Sequence, residues 1–414
     1  MKTRFFTRAR RFALLAFVFT FAMAGNLSLS VARPAASPVP PAASSVAGWG
    51  DNSLGQLNIP AGLTNVTAIA SGLNHNLALK SDGTVVGWGS NTGGEATPPA
   101  GLSNVVAIAA NGGLFGPGNS VALQSDGTIV TWGVLGPQTI PGNAVAIAAG
   151  HFHVLAVQSD GTVVGFGDDF FGEINIPPGL SGVVAVSAGP IFSLALKSDG
   201  TVVGWGGNNI GQINIPPGLS GVVAISAGGG SSLALKSDGT VVGWGANFSG
   251  VLNIPPGLSG VVAISTDFFH SMAVKSDGTA VGWGDDGGVC LTTPPSCIRG
   301  ATAITAGFRH NLTLQPQSCV QVGCSPQQNL TLLIAQVQAL VTAGTLAQNQ
   351  ANPLINKLNQ VITKLDNGQT NAACGQLGAF INQVNAFINS GSLTAAQGQA
   401  LIDAANAVRT SMGC

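Results

Sequence analysis

The sequence predicts an all-β propeller of seven four-stranded antiparallel blades, closed by its N-terminal strands and followed by a small all-α four-helix bundle. Three observations carry that reading. The decapeptide KSDGTVVGWG stands letter for letter at 80–89, 197–206 and 236–245, with close variants at 124–133, 158–167 and 275–284. Short apolar runs rich in β-branched residues or Leu surround each copy, with no helical stretch between copies. After residue 315 the composition turns to Ala, Gln, Asn and Leu, and apolar residues recur three to four apart, as on an amphipathic helix.

At the N-terminus, MKTRFFTRARR carries five basic residues, FALLAFVFTF is a short apolar run, and Ala22-Met23-Ala24 fits a signal peptidase site. Residues 1–24 therefore read as an export leader, with Arg10-Arg11-Phe12 pointing faintly to the twin-arginine route. A membrane anchor is the alternative, but it needs roughly 20 apolar residues and this run is shorter. The Pro/Ala/Ser segment at 25–45, including RPAASPVPPAASS, reads as a linker. Cleavage leaves 10 basic residues against 16 acidic ones, a net charge of −6, which argues against nucleic acid as a partner. Secretion to the extracellular side follows, with the cell surface or periplasm as alternatives.

The aspartates of the Ser-Asp-Gly step, at 82, 126, 160, 199, 238 and 277, are spaced by 44, 34, 39, 39 and 39 residues. Each unit reads as four strands, A to D; in one unit these are GVVAISAG, SLALK, TVVGWG and a QINIP segment. Ser-Asp-Gly between B and C is expected to form a two-residue Asp-Gly hairpin turn. GWG-type strands and AIA-type strands each occur seven times. The chain begins with C and D and ends with A and B, so SSVAGWGDNSLGQLNIP and ATAITAGFRHNLTLQ would complete one shared blade and leave no open edge.

The pattern A-I-A-x-G-x-x-H-x-L-A-L-K-S-D-G-x-V-x-x-W-G-x-N-x-x-G-Q resembles the repeat of the regulator of chromosome condensation (RCC1) family, seven-bladed propellers, across 46–315. The founding member is a nuclear exchange factor for a small GTPase, a role that an export leader and an acidic mature chain argue against. GWGGNNIGQINIPPGLSGVVAISAG is closer to secreted bacterial propellers that inhibit β-lactamases. The resemblance thus implies a binding protein rather than an enzyme. After a Cys-containing linker at 316–326, the segment 327–414 resembles the FIMAH domain of secreted bacterial proteins. It is internally duplicated, VQALVTAGTLAQNQANPLI at 337–355 matching VNAFINSGSLTAAQGQALI at 384–402. Gly344 and Gly391 are placed to end helices, Thr394 with Gln397 to form a capping box, and Pro353 to delay or kink the second helix.

Strand alternation puts the A–B and C–D loops on one face of the disc and the nearly invariant SDG and PPGLSG segments on the other. The first face varies between repeats, and large side chains gather there: Leu73, His151, Phe152, Phe170, Phe171, Ile191, Phe248, Phe268, Phe269, Phe308 and Arg309. A varied aromatic face marks an interaction surface, with packing of the rings between neighbouring loops as the alternative. The expected partner is a protein or an extracellular surface ligand, bound by a monomer. Tyrosine is absent from the chain.

Four of the five histidines, His75, His153, His270 and His310, share one slot at the start of strand B and read as hydrogen-bonded structural groups rather than metal ligands. The paired acids Asp168/Asp169 and Asp285/Asp286 suggest cation binding or a lyase or hydrolase as the rival class. No calcium loop, nucleophile elbow, zinc motif or phosphate loop accompanies them, so neither metal nor cofactor is expected. Of six cysteines, Cys374 with Cys414 is the favoured pair, ahead of Cys319 with Cys324 and Cys290 with Cys297.

Overall fold

In a computed structural model the described residues are 45–112, 117–295, 298–316 and 326–414. The expected leader and almost all of the linker lie outside them. β1 (Ser45–Gly50) opens the described chain. The first sheet combines β2 (Val66–Ser71), β3 (His75–Lys80) and β4 (Val85–Gly89), and the second β5 (Val105–Gly112), β6 (Gly118–Gln124), β7 (Ile129–Gly133) and β8 (Gln138–Ile140). The third holds β9 (Ala144–Ala149), β10 (His153–Gln158) and β11 (Val163–Gly167), and the fourth β12 (Val183–Ala188), β13 (Phe192–Lys197) and β14 (Val202–Gly206). The fifth holds β15 (Val222–Ala227), β16 (Ser231–Lys236) and β17 (Val241–Gly245), and the sixth β18 (Val261–Thr266), β19 (His270–Lys275) and β20 (Ala280–Gly284). β21 (Ala303–Ala306), β22 (His310–Gln315) and β1 form one more sheet, in which Trp49 of β1 faces Asn311 of β22. All pairings are antiparallel, and β21 also lies against β2.

Six of these sheets have three strands, not the expected four; only the second gains a strand D, β8. Elsewhere the segment folds as turns: Ile215 N–H donates to the Ile213 carbonyl, and Pro216-Pro217 has no N–H to offer a ladder. Its apolar side chains still pack, Ile213, Ile215 and Leu219 closing over the core between the fourth and fifth sheets. In the second sheet the C–D connection is trimmed, and the chain returns directly along β7.

The Ser-Asp-Gly step also differs from expectation. Gly83 N–H donates to the Lys80 carbonyl and Lys80 N–H to the Thr84 carbonyl, which makes a three-residue loop with only the glycine at positive φ (+77°). Asp82 is an acceptor there, taking the Thr84 N–H at 3.0 Å and Lys80 Nζ at 2.8 Å. Thr201 and Thr240 use Asp199 and Asp238 in the same way. The glycine is also a docking point: the Gly200 carbonyl accepts the Val222 N–H of the next sheet, and a Cβ there would lie 3.2 Å from Gly221. One tripeptide thus turns the hairpin and ties it to its neighbour.

The tryptophans explain the rest of the decapeptide. Trp244 Nε1 donates to the Gln212 carbonyl in the preceding sheet's C–D loop at 2.9 Å, and Ser232 Oγ donates to the same oxygen at 2.8 Å. The same pair of donors meets one carbonyl at Gln56 (from Trp88 and Asn76), Glu95 (Trp132, Ser120), Glu173 (Trp205, Ser193), Val251 (Trp283, Ser271) and Leu291 (Trp49, Asn311). Where the loop is trimmed, between the second and third sheets, the donor positions hold Phe166 and Val154.

Four helices follow: α1 (Pro326–Thr342), α2 (Gln348–Asp366), α3 (Thr370–Asn389) and α4 (Ala395–Met412). Leu333, Val337, Leu354, Leu358, Leu377, Phe380, Val384, Leu401 and Val408 form their common core. Gly344 and Gly391 end α1 and α3 at positive φ, and Thr394 and Gln397 cap α4 reciprocally. α2 begins five residues ahead of Pro353, so the proline does not delay it. Cys374 near the start of α3 is bonded to Cys414 just after α4, Cα atoms 6.1 Å apart, which fixes the two helices antiparallel. Cys290 is also disulfide-bonded; Cys297, Cys319 and Cys324 lie outside the described residues. Among the described residues no helix is long and apolar enough to cross a membrane.

Candidate functional site

The A–B and C–D loops of each sheet lie side by side, held by short backbone bonds such as Ala246 N–H to the Gly230 carbonyl and Asp285 N–H to the Phe269 carbonyl. Seven of the rings expected there form two clusters. On the third sheet, the His151 and Phe152 rings stack with centroids 4.0 Å apart, and Phe170 meets Phe171 edge-on at 4.8 Å. Across the sixth and seventh sheets, Phe268, Phe269 and Phe308 form a triad with centroids 5.0 to 6.0 Å apart. Phe170 and Phe248 are each 79% exposed, and Phe152 is also exposed. Phe171, Ile191, Phe268, Phe269, Phe308 and Arg309 are half-buried, Arg309 donating from Nη2 to the Gly287 carbonyl.

Leu73 is a correction. It is only 2% exposed and belongs to the interior, its side chain turned away from solvent. Leu54, on the loop after β1, is exposed instead; only the Asn-Ser-Leu loop pattern could have signalled it.

A cavity of about 140 Å³ opens on this face between the fifth and sixth sheets. Phe248, Phe268 and Phe269 wall it, together with Ile210, Gly229, Gly230 and Ser231. The last four were missed in the sequence. The available signal was the loop GGGS at 228–231, where other repeats read G-x-x-H or G-x-x-F.

The histidine slot is structural, as expected. His75 and His153 reach Ser120 and Ser193 of the next sheet, and His270 and His310 reach Asn311 and Asn76, at 2.7 to 3.2 Å. Ser120 and Ser193 already donate their hydroxyl protons to the Glu95 and Glu173 carbonyls, so His Nε2 is the donor in both contacts, and burial favours the neutral ring. Burial accordingly pushes His75 down to about 4 and His153 and His310 down to about 3. For His270 burial works the same way, but the charge and proximity of Asp267, 3.2 Å from Nδ1, prevail and raise its pKa. In the variable loop, burial lowers His151 to about 4.

The paired acids serve their own loops. Asp168 takes the Asp169 N–H, Asp169 the Ile174 N–H, Asp285 the Gly287 N–H, and Asp286 the N–H and hydroxyl of Thr292. Among the described residues, no group of three or more His, Cys, Asp or Glu could hold a metal ion.

The regulator of chromosome condensation (RCC1) repeat matches residues 66–95, 144–173, 183–212 and 222–251, and the FIMAH domain matches 330–410. Yeast RCC1 (Prp20), in its structure bound to Kap60, is similar with TM-score 0.56 and 19% identity over 67% of this chain and 90% of that one. Prp20p from Saccharomyces cerevisiae in a second structure gives 0.56 and 20%, over 67% and 92% of the two chains. Human WBSCR16 gives 0.53 and 16%, over 66% and 99%. No curated protein sequence matches the chain. The chain carries RCC1 repeats with the fold of the RCC1 propellers, followed by a C-terminal FIMAH domain.

Proposed function

We propose that the protein is an exported interaction module: a closed, seven-bladed propeller over 46–315 that binds a protein through its variable loop face, with the FIMAH domain at 327–414 as an accessory. The observation that carries this reading is the segregation of aromatic rings. Phe170 and Phe248 stand 79% exposed on the loop face that also carries the Phe268–Phe269–Phe308 triad, while the opposite face repeats polar Ser-Asp-Gly loops. Exposed aromatics grouped on one face suit the anchoring core of a protein interface. The acids that an enzyme would need are engaged as loop acceptors, which favours binding over catalysis. Pairing of β1 with β22 supports the closed ring, and the Cys374–Cys414 bond supports an oxidising, extracytoplasmic location. Similar yeast RCC1 has been crystallised with Kap60 bound, a precedent for protein partners on this fold.

The test replaces Phe170 and Phe248 together by Ser and compares capture of proteins from the extracellular fraction of the source organism. Proteins retained by the wild type should be lost from the variant at an unchanged melting temperature, and a class A β-lactamase is the first defined partner to assay. Equal capture by both forms would overturn the assignment to this face.

A further inference from the structure

The cavity between the fifth and sixth sheets has features that the rest of the loop face lacks. Its walls are uncharged: Ile210, Phe248, Phe268, Phe269 and two glycines without side chains. A Cβ on Gly229 would sit 2.3 Å from the Phe268 ring, and one on Gly230 2.5 Å from the Ile210 side chain, so these two positions must stay bare for the walls to stand where they do. Ser231 lines the same cavity, is 1% exposed, and its hydroxyl has no hydrogen-bond partner. A buried hydroxyl left unpaired is unfavourable, which makes this one a group awaiting a partner.

The repeats show how the opening arose. The position of Ser231 is filled by a ring in most other units, as His75, His153, Phe192, His270 and His310, and each of those side chains is buried. Here alone a serine replaces the ring behind three consecutive glycines. The volume fits that history, since an apolar cavity of roughly 150 Å³ holds one benzene ring.

We propose that this pocket receives one tyrosine side chain of a partner protein. The phenyl body packs on the glycine backbone and edge-on to the phenylalanines, and the phenolic hydroxyl completes the hydrogen bond that Ser231 lacks. The chain contains no tyrosine, so the occupant comes from elsewhere. This rests on the loop-face reading above and names its anchor.

The test titrates p-cresol, toluene, 4-methylimidazole and N-acetyl-tyrosinamide into the full chain and follows the Gly229 and Gly230 amide signals by NMR. p-Cresol and N-acetyl-tyrosinamide should saturate, binding about fivefold tighter than toluene, the increment of one neutral hydrogen bond. Ser231→Ala should erase that preference while toluene binding persists, and Ser231→Phe, which restores the ring found at 192, should abolish all saturation at an unchanged melting temperature. Toluene or 4-methylimidazole binding as tightly as p-cresol overturns the proposal. So does p-cresol binding without N-acetyl-tyrosinamide, which would mark a site for free phenols, and so does a Ser231→Ala variant that keeps the preference. Failure of the face reading is separate: it would appear as unchanged protein capture by the Phe170/Phe248 variant, whatever the small probes do.

Discussion

The junction between the fourth and fifth sheets and the junction between the second and third solve one packing problem in two ways. At the first, the Gln212 carbonyl leaves its loop, reaches into the interface and accepts from both Trp244 and Ser232. At the second, the loop is trimmed, the chain returns as strand β8, and the donor positions hold Phe166 and Val154. Acceptor and both donors disappear together. That is what the energetics of buried polar groups demand, because removing every partner of a buried bond is nearly neutral whereas removing one strands the other. The tryptophan of the repeat is therefore tied to the loop of the preceding sheet as well as to its own strand.

The comparison breaks most severely at the junction that joins the chain ends. Deleting 45–57 removes β1, the Trp49 donor and the Gln56 acceptor at once. Cooperative thermal unfolding of the β-sheet signal should be lost, and a transition as sharp as that of the full chain would show that the ends do not hold the ring. A smaller effect is expected at one clamp: Trp244→Phe should lower stability in urea unfolding by about 1–3 kcal/mol, since the Gln212 carbonyl keeps one donor and the contact area shrinks. Phe166→Trp should bring no gain, because no loop carbonyl waits for its N–H. Stabilisation by that substitution would refute the coupling of tryptophan to loop.

The effect confined to one condition is on pH dependence. His153 is held neutral, its pKa lowered by burial and then by His151 from 6.5 to about 3. The unfolded chain binds the proton first, so the stability due to this neutral site is complete above pH 6.5 and declines as pH falls from 6.5 toward 3. His153→Phe, which copies Phe192, should narrow the difference in melting temperature between pH 7 and pH 4. A difference as wide as in the wild type would place the acid sensitivity elsewhere.

Much of this was legible in the residues. Exact repetition with a spacing of 39 fixed the sheets, and the three-to-four spacing beyond 315 fixed the helices. The histidine slot was readable because His, Phe and Ser alternate there. Leu73 and the fourth strand were misjudged for one reason: an apolar side chain in a loop and an extended-looking INIPP segment have the same local sequence whether they face water or a neighbouring sheet. The pocket was missed because GGGS reads locally as a flexible loop. Its meaning depends on Phe248, Phe268 and Ile210, which arrive from three other loops.

By itself, then, the sequence determined the units: which segment joins each hairpin, which strand faces are apolar, and where β gives way to α. These follow from local dihedral preference and side-chain period, which act over a few residues. The tertiary structure alone decided which carbonyl each tryptophan meets, 32 residues away for Trp88 and 242 for Trp49, and that Asn76 closes on His310 across 234 residues. It also decided that an absent ring at Ser231 leaves a lined cavity rather than a collapsed one. Those outcomes belong to contacts between units, whose geometry is set only when neighbouring sheets pack and each buried polar group must find its partner there.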